Sequence, residues 1–184
     1  MNTQPETWKR IESEEVANCR IFKIRRDTCA RASGGARHDF FVIENTDWVN
    51  VIPVTKQNEV VLIEQFRHGS QEITLEIPGG MIDSDEDATF AAGRELIEET
   101  GYEPREIIFL GKSRPNPATH DNWVYHFLAS DCEKVRETAF DSTESIVTTL
   151  VPFDEIPNLI AGGRITHALV VTAFYWYSLY NQRS

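Results

Sequence analysis

Cysteine is scarce in this 184-residue chain, which has only Cys19, Cys29 and Cys132. An odd number with no Cys-x-x-Cys spacing excludes a disulfide framework and a zinc knuckle, and makes a reducing compartment, the cytoplasm, the expectation. Long apolar runs are missing as well. The longest, Ala168 to Tyr180, covers about 13 residues and includes Thr172 and Ser178, against the roughly 20 that a bilayer demands. A buried C-terminal helix is expected there, with no membrane attachment, and the N-terminus shows no apolar leader core. Basic residues are a minority, 18 against 29 acidic ones, for a formal net charge of −11. Nucleic acid and anionic lipid, both held by Lys and Arg neutralising phosphate, are thereby excluded as unaided partners. No repeat or low-complexity tract is present, and an apolar fraction of 41% rules out disorder as the main state.

The acidic excess that is present is concentrated. Residues 83 to 106 hold Asp83, Asp85, Glu86, Asp87, Glu95, Glu98, Glu99, Glu103 and Glu106 against Arg94 and Arg105, a net charge of −7. The remainder of the chain carries −4, and residues 1 to 40 are slightly positive. Period-2 patterning predicts strands over Cys19 to Arg26 and Arg37 to Glu44, with a turn at Ser33-Gly34-Gly35 between them. Further strands are predicted at Trp48 to Val54, Glu59 to Phe66 and Ile73 to Ile77, followed by a glycine loop at Pro78-Gly79-Gly80. The period then changes to 3.6. A capping box of Ser84 with Asp87 and a left-handed cap at Gly101 bound a helix from about 85 to 99. Strands over Arg105 to Lys112, Asn122 to Ala129 and Ser145 to Val151, then helices over Asp154 to Ala161 and His167 to Tyr180, complete an α+β reading.

On the central helix Glu95, Glu98 and Glu99 stand at i, i+3 and i+4, with Cβ atoms roughly 5–6 Å apart. Like charges so placed, close to the negative end of the helix dipole, destabilise a bare helix, and a cation is the simplest compensation. Oxygen-only ligands suit Mg²⁺ or Mn²⁺, which keep several waters and share their shell with phosphates. A run of carboxylates on a helix is ordinarily a solvated face. Here, however, the pattern extends from Gly80 through Glu86, Arg94-Glu95-Leu96 and Glu98-Glu99 to Gly101-Tyr102, nine fixed positions over 23 residues. It resembles the Nudix hydrolase box without a departure at any defining position.

The resemblance implies a loop-helix-loop that binds divalent metal and presents a nucleoside diphosphate linked to a further moiety to water. It implies Glu95 and Glu99 as principal metal ligands, Glu98 supporting or sharing a metal, the Gly79 carbonyl as a further ligand, and Glu86 as support. Arg94 would orient these carboxylates through charge-assisted hydrogen bonds, and Ala88, Ala91 and Ala92 would pack against the sheet. Gln65-Phe66-Arg67 and Leu75-Glu76-Ile77-Pro78-Gly79-Gly80 are similar to the ADP-ribose pyrophosphatase branch, which can be followed over about residues 15 to 175. That likeness implies a Nudix-type α/β/α sandwich around a mixed sheet over residues 46–184. It also implies a small N-terminal antiparallel sheet over 1–45 that makes a homodimer by exchange, a short meander being too small to stand alone. Arg67 and Glu76 would hold the diphosphate, and Pro117 fits a proline about fifteen residues beyond the box.

The resemblance implies a general base from a loop over roughly Thr138 to Ser145, with Glu144 first and Asp141 second. Trp48, then Phe22, are the candidates for stacking on the base. His120 and His126, six apart and able to share a strand face, are read as hydrogen-bonded structural residues. The activity so implied is Mg²⁺-dependent cleavage of a nucleoside diphosphate sugar, with ADP-ribose giving AMP and ribose 5-phosphate. The unfamiliar run Arg114-Pro115-Asn116-Pro117-Ala118 leaves GDP-mannose or another sugar nucleotide open. A reading of a different class, a non-catalytic nucleotide-sugar sensor, would tolerate a damaged box, whereas this one is intact.

Overall fold

The computed structural model describes residues 4–138 and 145–183, which divide into two compact units. The first comprises residues 1–46 together with 114–122. Its centre is an antiparallel meander of β1 (Trp8–Asn18), β2 (Lys23–Arg31) and β3 (His38–Glu44). Strand β1 has no counterpart in the sequence reading, because its segment WKRIESEEVAN is charged and exposed almost throughout and offers no alternation. Cross-strand charge supports it instead. Glu15 meets Lys23 at 2.8 Å, Glu14 meets Arg26 at 2.8 Å, and Ser13 donates to the buried Asp27 at 2.6 Å. The chain turns through Arg20 at φ 68°, so the expected strand from Cys19 begins four residues later, at Lys23, and Phe22 lies in the turn. The turn at Ser33-Gly34-Gly35 is present, with both glycines at positive φ.

The second unit, residues 47–113 and 123–184, is built on one mixed sheet. It contains β4 (Trp48–Thr55), β5 (Glu59–Arg67), β6 (Glu72–Glu76), β7 (Gly79–Met81), β8 (Tyr102–Glu103), β9 (Glu106–Ser113), β10 (Val124–Lys134) and β11 (Ile146–Pro152). The order is β11-β5-β4-β10-β8, with β6 on β5, β7 on β4 and β9 on β10; β4 and β10 are parallel and the other pairs antiparallel. The glycine loop expected at 78–80 is therefore partly a strand: Gly79, Gly80 and Met81 pair with Asn50, Val49 and Trp48.

The two faces of β4 explain the layers. Val49 and Val51 pack with Ala91, Ala92 and Leu96 of α1 (Ala88–Thr100), and with Phe127, Ala129 and Cys132. On the other face Ile52 packs with Leu62, Leu75 and Ile77 under α2 (Ile156–Ala161) and α3 (Ala168–Asn181), through Ile156, Val170, Ala173 and Phe174. This is the α/β/α sandwich that the resemblance implied. The α3 helix lies close to β9, where a Cβ on Gly111 would come within 2.6 Å of the Trp176 ring. It buries only one side, leaving Tyr175 exposed. No helix among the described residues is long and apolar enough to cross a membrane.

Candidate active site

The site grows from the two ends of α1. Its N-cap is Asp87 rather than Ser84. The Asp87 carboxylate accepts from the Thr89 and Phe90 N–H groups at 2.8 and 3.0 Å, so the helix starts at Ala88, where these otherwise unpaired donors are satisfied. At the other end Gly101 adopts φ 75° and donates to the Ile97 carbonyl at 2.9 Å. Any side chain there would also run into the Arg136 carbonyl. The helix stops one residue beyond Glu99.

Between these caps Arg94 gathers the carboxylates. Its Nε and Nη2 donate to the two oxygens of Glu86 at 2.8 and 2.9 Å. Its Nη1 donates to Glu95 at 2.9 Å and to Glu98 at 3.1 Å, and Nη2 also reaches the Met81 carbonyl at 3.1 Å. The guanidinium holds the Glu86 carboxyl below its usual range, against a smaller upward push from burial, and the Asp83 N–H adds to the lowering. Glu99 is buried, and its Oε2 accepts from the Gly79 N–H at 3.0 Å, so the helix carboxylate is tied to β7. Glu95 lies over Gly80, where a Cβ would collide with its carboxylate. Glu95, Glu98, Glu99 and the main chain of Gly79 and Gly80 thus lie along α1 and the adjoining strand.

Among the described residues no three Asp, Glu, His or Cys side chains stand close enough together to hold a metal ion by themselves. The donor chemistry nevertheless fits Mg²⁺ or Mn²⁺. The available groups are hard oxygens, the glycine main chain leaves a lane beside Glu95, and such ions take one or two carboxylates and complete their shell with water and phosphate. A zinc centre, with its closed set of four His and Cys ligands, does not fit. Gly80→Ala tests the lane. The fold is expected to survive, because the far end of a flexible side chain can move aside, while displacement of Glu95 lowers kcat/KM by about tenfold to a hundredfold in steady-state assays.

A second cluster forms where β5 and β6 meet the start of α3. Arg67 Nε and Nη2 donate to the two oxygens of Glu76, both at 2.8 Å, as a parallel fork. Thr74 Oγ1 donates to Glu76 Oε1 at 2.5 Å, and His167 Nδ1 lies 3.1 Å from Oε2. Glu76 is only 2% exposed. Burial pushes its carboxyl up, but Arg67, His167 and Thr74 together outweigh this and hold it well below the usual carboxylate range. Arg67 and Glu76, expected at the diphosphate, are joined directly by the fold, which adds two partners. Thr74 carried a weak signal, two residues from Glu76 on one strand face. His167 carried none, being 91 residues away at the N-cap of α3.

His126 is fully buried on β10 and bonded at both nitrogens, to Ser113 Oγ at 2.8 Å and Asn50 Oδ1 at 2.7 Å. It does not share a strand face with His120, which lies in the 114–122 segment and pairs with Thr119 Oγ1 at 3.0 Å. Burial holds the His126 imidazole down at about 4. An unfolded chain therefore binds a proton between about pH 6.5 and 4 that the folded chain does not. Stability is complete above about pH 6.5 and is lost as pH falls toward 4, by roughly 3 kcal/mol. Glu76 extends the loss below its unfolded value, since its depressed carboxyl stabilises only while ionised. Melting temperatures are expected to fall steadily between about pH 7 and 4, and His126→Gln is expected to flatten the upper part of that slope.

Trp48 opens β4, half-buried, with its N–H on the Trp123 carbonyl at 2.8 Å and Met81 as its register partner. Pro117 lies exposed in a turn closed by the Thr119 and His120 N–H groups on the Asn116 carbonyl, at 3.1 and 2.8 Å. Trp48 and Pro117 belong to different units. Glu144 and Asp141 lie outside the described residues.

Residues 45–174 match the NUDIX domain family model. The chain is 28% identical over 172 residues to the methanol dehydrogenase activator of Bacillus methanolicus, covering 93% of this chain and 92% of that protein. Over an alignment of the same length and coverage it is 25% identical to the ADP-ribose pyrophosphatase of Bacillus subtilis (strain 168). A crystal structure of an ADP compounds hydrolase superposes with a TM-score of 0.84 at 23% identity, over 97% of this chain and 95% of that one, which shows a shared fold.

Proposed function

Since the chain belongs to the Nudix family, we propose that it hydrolyses the diphosphate bond of a nucleoside diphosphate sugar, with ADP-ribose cleaved to AMP and ribose 5-phosphate. The observation that carries this reading is the α1 face, on which Arg94 bridges Glu86, Glu95 and Glu98 while Glu99 is tied to Gly79. The similarity to an ADP-ribose pyrophosphatase along nearly the whole chain supports the choice of substrate. The intact carboxylate set speaks against a sensor without activity.

In this mechanism Glu95, Glu98, Glu99 and the Gly79 carbonyl would hold Mg²⁺, with Mn²⁺ as a substitute. Bound there, the cation would supply charge neutralisation on the diphosphate oxygens and a more acidic water. Arg94 holds Glu86, Glu95 and Glu98 together through charge-assisted hydrogen bonds and so fixes their orientation. The Arg67 guanidinium, oriented by Glu76, binds the diphosphate, Glu144 takes the proton of the attacking water, and Trp48 borders the nucleoside. Assays of ADP-ribose, GDP-mannose, ADP-glucose and NADH with Mg²⁺ and with EDTA, repeated in ¹⁸O-water, test the reading. ADP-ribose is expected to turn over fastest, with activity lost in EDTA. No turnover of any of them would sink it.

Residues 1–45 are assigned to dimerisation and 46–184 to catalysis, in a cytoplasmic homodimer. The support is the apolar surface that the small sheet leaves exposed, including Trp8, Ile11, Val16, Phe40 and Phe41. Sedimentation equilibrium is expected to give twice the chain mass, and a monomer independent of concentration would overturn the assignment.

A further inference from the structure

A line of polar groups runs through the interior of the catalytic unit and takes no part in the mechanism above. Ser113 at the end of β9 meets His126 Nε2, His126 Nδ1 meets Asn50 Oδ1 on β4, and Asn50 Nδ2 donates to the Leu169 carbonyl in the first turn of α3 at 3.1 Å. His126 is fully buried, which disfavours the charged ring, and for a neutral imidazole a single arrangement of protons satisfies all three contacts. The Leu169 carbonyl can only accept, so Asn50 turns its NH₂ toward it and its oxygen toward His126. His126 must then donate from Nδ1, and its Nε2 accepts the Ser113 hydroxyl. The imidazole is neutral and of one tautomer. Its chain neighbours Phe127 and Leu128 are buried apolar residues, and an imidazole is costly in that setting unless both nitrogens are bonded.

Asn50 stands between the two halves of the site. It is the register partner of Gly79, and a Cβ on Gly79 would lie 2.9 Å from Asn50 Cα, so the glycine main chain packs directly on it. Gly79 in turn holds Glu99. On its other side Asn50 grips the Leu169 carbonyl, two residues beyond His167, which meets Glu76 and through it Arg67.

We propose that His126 is a positioning residue which, by fixing Asn50, sets the spacing between the Gly79–Glu99 contact and the His167–Glu76–Arg67 cluster, and so the fit of the diphosphate to the carboxylate face. The kinetic part rests on the function proposed above; the spectroscopic part does not.

The ¹⁵N spectrum of histidine in the metal-free protein is expected to show His126 protonated at Nδ1 and bare at Nε2 from about pH 6 to 8. The opposite tautomer overturns the proposal. His126→Gln keeps a donor toward Asn50 and an acceptor toward Ser113, whereas His126→Phe keeps a flat ring, somewhat larger, and loses both. For ADP-ribose, His126→Phe is expected to raise KM about tenfold or more, with kcat changed by less than about threefold, and His126→Gln to restore KM to within about threefold of wild type. Asn50→Asp keeps the acceptor facing His126 and removes the donor facing Leu169, so it should raise KM in the same way even if His126→Phe fails to fold. Val60→Ala, a core truncation at the far end of β5, is expected to lower the melting temperature and leave KM unchanged. An unaltered KM in Asn50→Asp, or a glutamine variant no better than the phenylalanine one, overturns the proposal. If the wild-type protein turns over no sugar nucleotide, the function proposed above fails and the spectra decide: Asn50→Asp should shift the backbone amide signals of both Gly79 and His167, and signals that stay in place overturn the proposal.

Discussion

Glu99→Gln is expected to lower kcat for ADP-ribose by about 10²–10³-fold at saturating Mg²⁺, with an unchanged fold. The substitution isolates charge. Glutamine has the same shape, and its side-chain oxygen can still accept the Gly79 N–H that now lies 3.0 Å from Glu99 Oε2, so β7 and α1 stay docked. What disappears is a negative charge at a buried position beside the glycine main chain, where a divalent cation would have to be balanced. Glu98→Gln is a useful contrast. The Glu98 side chain is 44% exposed and meets Arg94 through one bond at 3.1 Å, so its loss should cost about tenfold. Steady-state kinetics across a Mg²⁺ titration, with melting curves as a control for folding, separate the two. A loss below tenfold for Glu99→Gln would remove Glu99 from the ligand set.

The second large effect is on stability. Arg67→Leu leaves the Glu76 carboxylate buried with only Thr74 and His167 for partners, and removing one member of a buried pair typically costs 3–5 kcal/mol. Because the Arg67 side chain is 44% exposed, water makes good part of the loss, and about 3 kcal/mol is expected. The sign with pH is diagnostic. Without the guanidinium the Glu76 carboxyl moves upward, so the deficit is largest near neutral pH and shrinks as acid protonates it. The double variant Arg67→Leu/Glu76→Leu removes both charges and should be more stable than the single one. Denaturant melts at about pH 7.5 and 5 would check both points; a single variant as stable as wild type would mean that the fork contributes nothing to folding.

The box was legible because its chemistry is local: carboxylates at i, i+3 and i+4 and a glycine at the helix end share one helix with Arg94, and short-range spacing encodes their meeting. The start of the helix departs from its motif, since Ser84 and Asp87 have capping-box spacing while Asp87 serves as the cap itself. Strand β7 was hidden because two glycines and a proline imitate a loop, and only the Asn50–Gly79 and Val49–Gly80 pairing reveals it. Strand β1 was hidden by its exposed charge. Contacts between distant segments were beyond reach in a stronger sense. His167 comes to Glu76, and Asn50 to His126, only when the sheet closes, and nothing in the spacing of 91 or 76 residues announces either meeting.

The 114–122 segment has a consequence for synthesis. It belongs with the first 46 residues: Ile43 N–H bonds to the Thr119 carbonyl at 2.7 Å, and Arg25 reaches Asp121 at 3.1 Å as well as Asp27 and Glu44. A nascent chain therefore exposes its N-terminal meander before the segment that completes it exists. At roughly 5–20 residues per second, the gap of about 70 residues lasts several seconds. During that time the edge at β3 and the aromatic residues Phe40 and Phe41 are open to another strand. Ribosome-adjacent chaperones, or a neighbouring chain on the same message, would meet this sheet in its incomplete form.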